Sequence, residues 1–341
     1  MNYNQAFMAT HTLEALLLIL AAAVMNATYT LPMKLNRRWA WEHSWFAFTL
    51  LGVIAVPTAL AVATVPGLFS IYPQIPAGTL AMMGLFGAGW GVSLVLFGLA
   101  IEMVGVAVTF AVCLGTSAAS GALIPLVAQH PEKLATREGA LILGGIAAIL
   151  VGVALCGVAS SLRDSGASAS RAHPVRGALY AFVSGILGSL FSLGLAFGGE
   201  IQRAAQQHGA SVTMMSNAVW LPCLYAGFLP GVIYCLFLMR KHGNTAELTR
   251  NSRWYYWIMA ALMGVLWYGS IVLYAISTTH MGELGTSIGW PLFLSSIVVA
   301  STIVGVVAGE WTGAGKRALR YMIGGVACLV GAIVVLSQAN R

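Results

Sequence analysis

Ten stretches of this chain run without an Asp, Glu, Lys or Arg: Ala15 to Met33, Trp45 to Val65, Thr79 to Ile101, Met103 to Ala128, Gly139 to Ala159, Gly177 to Gly199, Ser211 to Met239, Trp254 to Thr279, Leu284 to Gly309 and Tyr321 to Gln338. A helix needs about 20 mostly apolar residues to cross the hydrocarbon layer, and each stretch meets that length. The stretches are rich in Gly and Ala and lack the in-out alternation of a membrane barrel strand. Helices are then the spanning structure that can satisfy the backbone in lipid. The pattern predicts an all-α membrane protein with ten transmembrane helices, with little chain left for an extramembrane domain.

Composition agrees. Charged residues make up 8% of the chain and the mean hydropathy is +0.84, whereas an ordinary soluble domain is about 25% charged. The net charge of +7 is concentrated in connections. With an external amino terminus, the cytoplasmic connections hold Lys34, Arg37, Arg38, Arg163, Arg171, Arg176, Arg240, Lys241, Arg250, Arg253, Lys316, Arg317 and Arg320, leaving Lys133, Arg137, Arg203 and Arg341 outside. Short cytoplasmic loops retain positive charge, so both termini are expected on the periplasmic side, and the charge reads as topology rather than as a nucleic-acid surface. No Lys or Arg precedes Ala15, as a signal peptide would require, so the first run is expected to remain as a helix. The five cysteines lie within apolar runs, which argues against a disulfide framework.

An internal repeat is legible. Trp90 to Gly105 (WGVSLVLFGLAIEMVG) and Trp267 to Gly282 (WYGSIVLYAISTTHMG) align at an offset of 177, matching Trp to Trp, Phe97 to Tyr274 and Gly to Gly. Gly144, Gly145 and Ala147 recur as Gly324, Gly325 and Ala327 at an offset of 180. Two sets of five helices, residues 1–165 and 166–341, are expected; an odd number of spans per set makes the repeats inverted, the arrangement behind alternating access.

Carriers of that kind bind substrate near the midplane, where helices are interrupted. Pro57, Pro125, Pro222, Pro230 and Pro291 interrupt helices 2, 4, 7 and 9, each freeing a carbonyl or serving only as a packing kink. Polar and aromatic candidates around them are Asn26, Thr28 and Tyr29; Trp90 and Ser93; Thr116 and Ser117; Asn217 and Trp220; Trp267, Tyr268 and Tyr274; and Thr286, Ser287 and Trp290. This neutral set offers ring faces for a pyranose and hydrogen bonds for its hydroxyls. It holds no Arg or Lys for a phosphate. Proton coupling calls for a titratable group that the cavity can reach; Glu283, which opens helix 9 one turn before Thr286 and Ser287, is the first candidate, followed by Glu102 and His280, with Glu14 at the lip of helix 1. No metal-ligand spacing, nucleophile motif or cofactor signature is present, so an enzyme is not expected. Trp254 to Trp257 and Trp39, Trp41 and Trp45, each following arginines, read as interfacial belts.

Pro32-Met33-Lys34 with Arg37-Arg38-Trp39-Ala40-Trp41-Glu42-His43-Ser44-Trp45, Glu310-Trp311-Thr312-Gly313-Ala314-Gly315-Lys316-Arg317, and Trp267-Tyr268 with Tyr274-Ala275 resemble segments of the bacterial L-rhamnose-proton symporters. The resemblance spans nearly the whole chain. It implies the ten-helix drug/metabolite transporter fold, the inner membrane, and import of L-rhamnose, with L-lyxose or L-mannose as further cargoes, together with protons. The chain departs from that pattern in carrying Glu283 one turn before Thr286, where the family's carboxylate is expected, and Glu102 where a basic residue is usual. The alternative in the same superfamily is a drug or metabolite exporter, or a carrier of another neutral solute. Oligomeric state is not readable from the sequence.

Overall fold

The computed structural model of the chain describes residues 3–163, 174–250 and 252–339, with side chains from residue 13 onward apart from those of residues 106 and 107. Ten spans are long and apolar enough to cross a membrane: α1 (Tyr3–Thr28), α2 (Trp41–Thr64), α3 (Ala77–Val104), α4 (Val106–Gln129), α5 (Arg137–Arg163), α6 (Pro174–Phe197), α7 (Asn217–Lys241), α8 (Trp254–His280), α9 (Gly285–Val307) and α10 (Lys316–Gln338). Among the described residues there is no strand, so the fold is all-α. The expected boundary at residues 165 and 166, and Arg171 and Arg341, lie outside the described residues.

Local chemistry moves several boundaries. α1 stops at Thr28, whose hydroxyl donates back to Val24 O (2.8 Å) and Met25 O (3.2 Å), and Pro32 follows in a 3-10 turn, Leu31–Leu35. The uncharged run from Ser211 is spent on turns until Asn217; absence of charge does not by itself mark a helix start. α2 is α-helical over Trp41–Phe48, widens into a π-helix over Thr49–Ala55, and resumes at Val56–Thr64. Pro57 has no N–H for Val53 O, and the chain answers with a wider turn in which the Val56 N–H reaches Leu51 O.

The described connections after odd-numbered helices gather at one end of the bundle. There the His43 imidazole meets Asn244 O (3.0 Å), the Arg38 N–H donates to the Tyr256 hydroxyl (3.4 Å), and Arg163 lies 3.7 Å from Glu310 and over the Trp311 ring. At the opposite end Thr79 donates to Glu200, and the Tyr72 hydroxyl donates to Ala218 O (2.9 Å). Twelve of the described basic side chains sit at the first end, from Lys34 to Arg320, and Lys133, Arg137 and Arg203 at the other.

Packing is reciprocal between the halves. α3 packs on α6 and α7 as α8 packs on α1 and α2; α4 packs on α5 and α6 as α9 packs on α10 and α1; α2 meets α7, α4 meets α9 and α5 meets α10. Lipid supplies no hydrophobic force between helices, so close backbone approach carries the association. At the α3–α7 crossing a Cβ on Gly87 would stand 1.8 Å from Cys223 O, and at the α8–α2 crossing one on Gly264 would stand 2.3 Å from Gly52 Cα. α3 and α8 both end on glycines of positive φ, Gly105 (83°) and Gly282 (67°), a conformation that only glycine adopts cheaply.

Candidate functional site

A cavity opens at the basic end between α1, α2, α3 and α7. Its mouth, about 420 Å³, is walled by Tyr29, Trp41, Trp45, Phe97, Glu102 and Tyr234, with Gly98 and Gly231 giving way on α3 and α7. It narrows inward past Phe48, Thr49 and Phe228 to a cleft of about 40 Å³ that ends on Trp90 and Trp267. Those two indoles, equivalent by the sequence offset, stack across the centre of the bundle with centroids 5.6 Å apart and planes 20° apart. Phe48 meets Trp267 edge-on at 5.9 Å, and Phe191 bridges Trp90 to Trp220.

The cavity wall on α2 arises from helical spacing. Trp41, Trp45, Phe48 and Thr49 fall at i, i+4, i+7 and i+8, so they form one stripe. Trp41 and Trp45 stack at 5.2 Å and 16°, and the Thr49 hydroxyl donates to Trp45 O (2.8 Å), which ties the π-helical turn to the aromatic stripe. Two residues expected in an interfacial belt therefore wall the cavity. The belt expectation fails in a second way: Trp39 and Tyr256 are buried, with ring centroids 5.1 Å apart, because a hydrogen bond from the Arg38 backbone and the Ala47 and Ala260 faces draw them inward. Trp254 stays exposed.

The sequence candidates separate into three groups. Tyr29, Trp90 and Trp267 line the basic-end cavity. Asn26, Ser117, Asn217, Tyr268 and Trp290 are engaged in joining helices, and Ser93 does so through its backbone carbonyl, which accepts from Ser184 Oγ (2.8 Å). Asn26 donates to Ser270 Oγ (2.9 Å), and the Trp290 N–H donates to Ser117 Oγ (3.2 Å). Asn217 accepts from the Tyr268 hydroxyl (2.9 Å) and donates to Thr64 Oγ1 (3.0 Å). Ser93 Oγ donates to Trp90 O, one turn back on its own helix. The third group is Trp220, Tyr274 and Ser287. All three are buried, and the Trp220 N–H, Tyr274 hydroxyl and Ser287 hydroxyl have no hydrogen-bond partner among the described residues.

The titratable candidates stand at opposite ends. Glu102 is exposed in the mouth of the basic-end cavity. Glu283 lines a separate cavity of about 440 Å³ at the other end. His280 lies 3.8 Å from Glu14 at that same end and is not among the residues that line either cavity. Of the two roles open to the prolines, Pro222 does free a carbonyl, Ala218 O, but the Tyr72 hydroxyl occupies it. Burial pushes the Tyr72 hydroxyl well above the ordinary tyrosine range, which keeps it a donor. Among the described residues no group of His, Cys, Asp and Glu is placed to hold a metal.

Comparison with known proteins places this arrangement. The sequence profile of the L-rhamnose-proton symport protein (RhaT) matches residues 8–340. Curated relatives described as L-rhamnose-proton symporters include those of Escherichia coli strain 55989 (26% identical over 336 residues, covering 94% of this chain and 96% of the relative) and Salmonella gallinarum (24% over 330 residues, 94% of each). A solved crystal structure of a protein given no function superposes with a TM-score of 0.56 at 17% identity, covering 94% of this chain and 95% of that one; it speaks to the fold alone. With the profile matched along almost its whole length, the chain belongs to the L-rhamnose-proton symport protein family.

Proposed function

We propose that this protein imports L-rhamnose, or a closely similar neutral sugar, across the bacterial inner membrane together with protons, by alternating access. The observation that carries the reading is an aromatic cavity, open at one end and closed at the centre by the Trp90–Trp267 stack, in a chain of the symporter family. A pyranose ring lies well against the faces of Trp41, Trp45 and Tyr29, and a volume near 420 Å³ suits a monosaccharide with its water. Retained positive charge makes the open end cytoplasmic and both termini periplasmic.

The ten spans form two inverted repeats of five in this reading, residues 1–165 and 166–341. Three observations support it: the reciprocal packing of α3 and α8, the tight crossings at Gly87 and Gly264, which are 177 apart, and the paired positive-φ glycines. Gly67 (φ 63°) and Gly243 (φ 65°) form a second such pair, following α2 and α7.

Glu102 is the proton-coupling residue, because it is the one carboxylate that lines the cavity together with the sugar-facing rings. A carboxylate among aromatic rings also suits an organic cation, and this favours the exporter as the second reading.

The test is uptake of labelled L-rhamnose by cells lacking their own carrier, with and without a protonophore. Saturable accumulation that the protonophore abolishes is expected, and Glu102→Gln should lose accumulation while still exchanging labelled for unlabelled sugar. Absence of saturable uptake by inserted protein, or export of a cationic dye that rhamnose does not inhibit, overturns the reading.

A further inference from the structure

The cavity at the basic-poor end differs in kind from the aromatic one. It lies where α4 and α6 end and α9 begins, and Gln129, Gln202, Ser216, Thr279, Glu283 and Thr286 supply its polar lining, with no Trp, Tyr or Phe in the wall. Its geometry follows from the way α6 stops. The last carbonyls of a helix have no partner within it, and here Ala196 O accepts from Gln129 Nε2 (2.8 Å) while Leu195 O accepts from Gln202 Nε2 (3.1 Å). Each amide thus commits one N–H to the end of α6, which holds it in one orientation and leaves its second N–H and its carbonyl oxygen for a ligand. The two amide carbonyl oxygens take no hydrogen bond from another described residue.

Glu283 adds a carboxylate with no ion-pair partner among the described residues. The Thr279 hydroxyl donates to Ile276 O, so toward the cavity it offers lone pairs. The lining is therefore rich in acceptors, carries one negative charge and has no Lys or Arg. An anion is disfavoured. A molecule with several O–H donors on adjacent carbons fits, since a carboxylate can accept from two neighbouring hydroxyls at once. Thr278 on α8 and Thr286 on α9 form the floor of the cavity. Thr278, which lines the cavity, packs against the Cα side of Gly289, where an added Cβ would lie 2.8 Å from Thr278 Cγ2 and 3.4 Å from Tyr274 Cε2. The unpartnered hydroxyls of Tyr274 and Ser287 thus lie on the two helices that form this floor.

We propose that this cavity is a docking site for a neutral pyranose on the periplasmic face, filled before the carrier opens on that side. Glu283, Gln129 and Gln202 receive the sugar hydroxyls there, and the role of Glu283 is recognition. This inference rests on the sugar-carrier reading above.

The test uses Thr279→Cys in cells de-energised with a protonophore, labelled by a membrane-impermeant maleimide and corrected for labelling of the native five-cysteine protein. L-Rhamnose should slow labelling, and the sugar concentration for half-protection should rise at least tenfold in Gln129→Leu/Gln202→Leu. Glu283→Gln, which keeps the side-chain shape, should shift protection in the same direction and raise the KM for uptake more than it lowers the maximal rate. Lack of protection in a protein that still takes up rhamnose saturably overturns the docking site and leaves the carrier reading standing; lack of both uptake and protection overturns both. Protection by an alkylammonium but not by rhamnose, or labelling only after the membrane is permeabilised, also overturns the proposal.

Discussion

Tyr72→Phe isolates one hydrogen bond whose need arises from the covalent chemistry of another residue. Pro222 has no N–H, so Ala218 O in α7 loses its helical partner, and the Tyr72 hydroxyl supplies the replacement at 2.9 Å from outside the helix. Two magnitudes compete. Side-chain hydrogen bonds in membrane proteins are worth about 0.6 kcal/mol on average and at most about 1.7, whereas a buried carbonyl left unpaired costs about 1–3 kcal/mol. Ala218 is buried and phenylalanine fills the same space without a donor, so the second magnitude governs, and a loss of about 1–2 kcal/mol is expected. Pro222→Ala returns an N–H to the same carbonyl. In that background Tyr72→Phe should cost no more than about 0.6 kcal/mol. Unfolding in mixed detergent and dodecyl sulfate micelles, run as a double-mutant cycle, reads the difference directly. Equal losses in the two backgrounds would refute the assignment of Tyr72 to the proline-freed carbonyl.

Two further outcomes follow from the packing. Gly84 and Gly87 lie one turn apart on α3, yet nothing stands within 4 Å of a Cβ built on Gly84, while one on Gly87 would meet Cys223 O. Gly84→Ala should be neutral or slightly stabilising through helix propensity, and Gly87→Ala should cost about 1–3 kcal/mol, read as the thermal midpoint of the purified protein; similar midpoints would mean that the crossing is looser than described. Trp41→Ala and Trp45→Ala should each raise the KM for rhamnose uptake roughly 2- to 10-fold at equal surface expression, from about 0.5–1.5 kcal/mol of ring contact, and an unchanged KM would remove the α2 stripe from the sugar path.

The number of helices was legible because a bilayer demands length and absence of charge, both countable along the chain. The faces that meet the cavity were much less so. In a soluble helix the apolar stripe points inward, but here Met83 is buried and Leu85 exposed on the same helix α3, since the lipid-facing surface is as apolar as the core. Rotation about each helix axis therefore left little trace in the sequence. Trp41 and Trp45 show the consequence: beside arginines they read as belt residues, and their i, i+4 spacing with Phe48 and Thr49 was the signal that they share a face. The polar candidates read as a single set in the sequence for a related reason. Asn217, Tyr268 and Thr64 bond one another across three helices, and the partner that satisfies each is far away in sequence.

On the proposed mechanism, the two ends of the bundle must exchange roles, and the unpartnered groups bear on what that exchange costs. Trp220, Tyr274, Ser287 and Ser296 each bury a polar atom without a partner in the α7, α8 and α9 helices. Each such group costs about 1–3 kcal/mol when dry, and opening this side to water or sugar would recover part of that. Against opening stand the ring stacks of Phe191 on Trp220 (4.6 Å) and Tyr274 on Phe293 (5.2 Å), at about 0.5–1.5 kcal/mol each, and the Tyr268–Asn217–Thr64 bonds. Opening this side therefore trades the cost of dry polar groups against ring stacks and side-chain bonds, and a ligand that interacts differently with the two forms shifts the population between them. A sugar that hydrogen-bonds these side chains on entry binds the outward-open form better than the closed one, and that differential affinity is what allows it to drive the exchange.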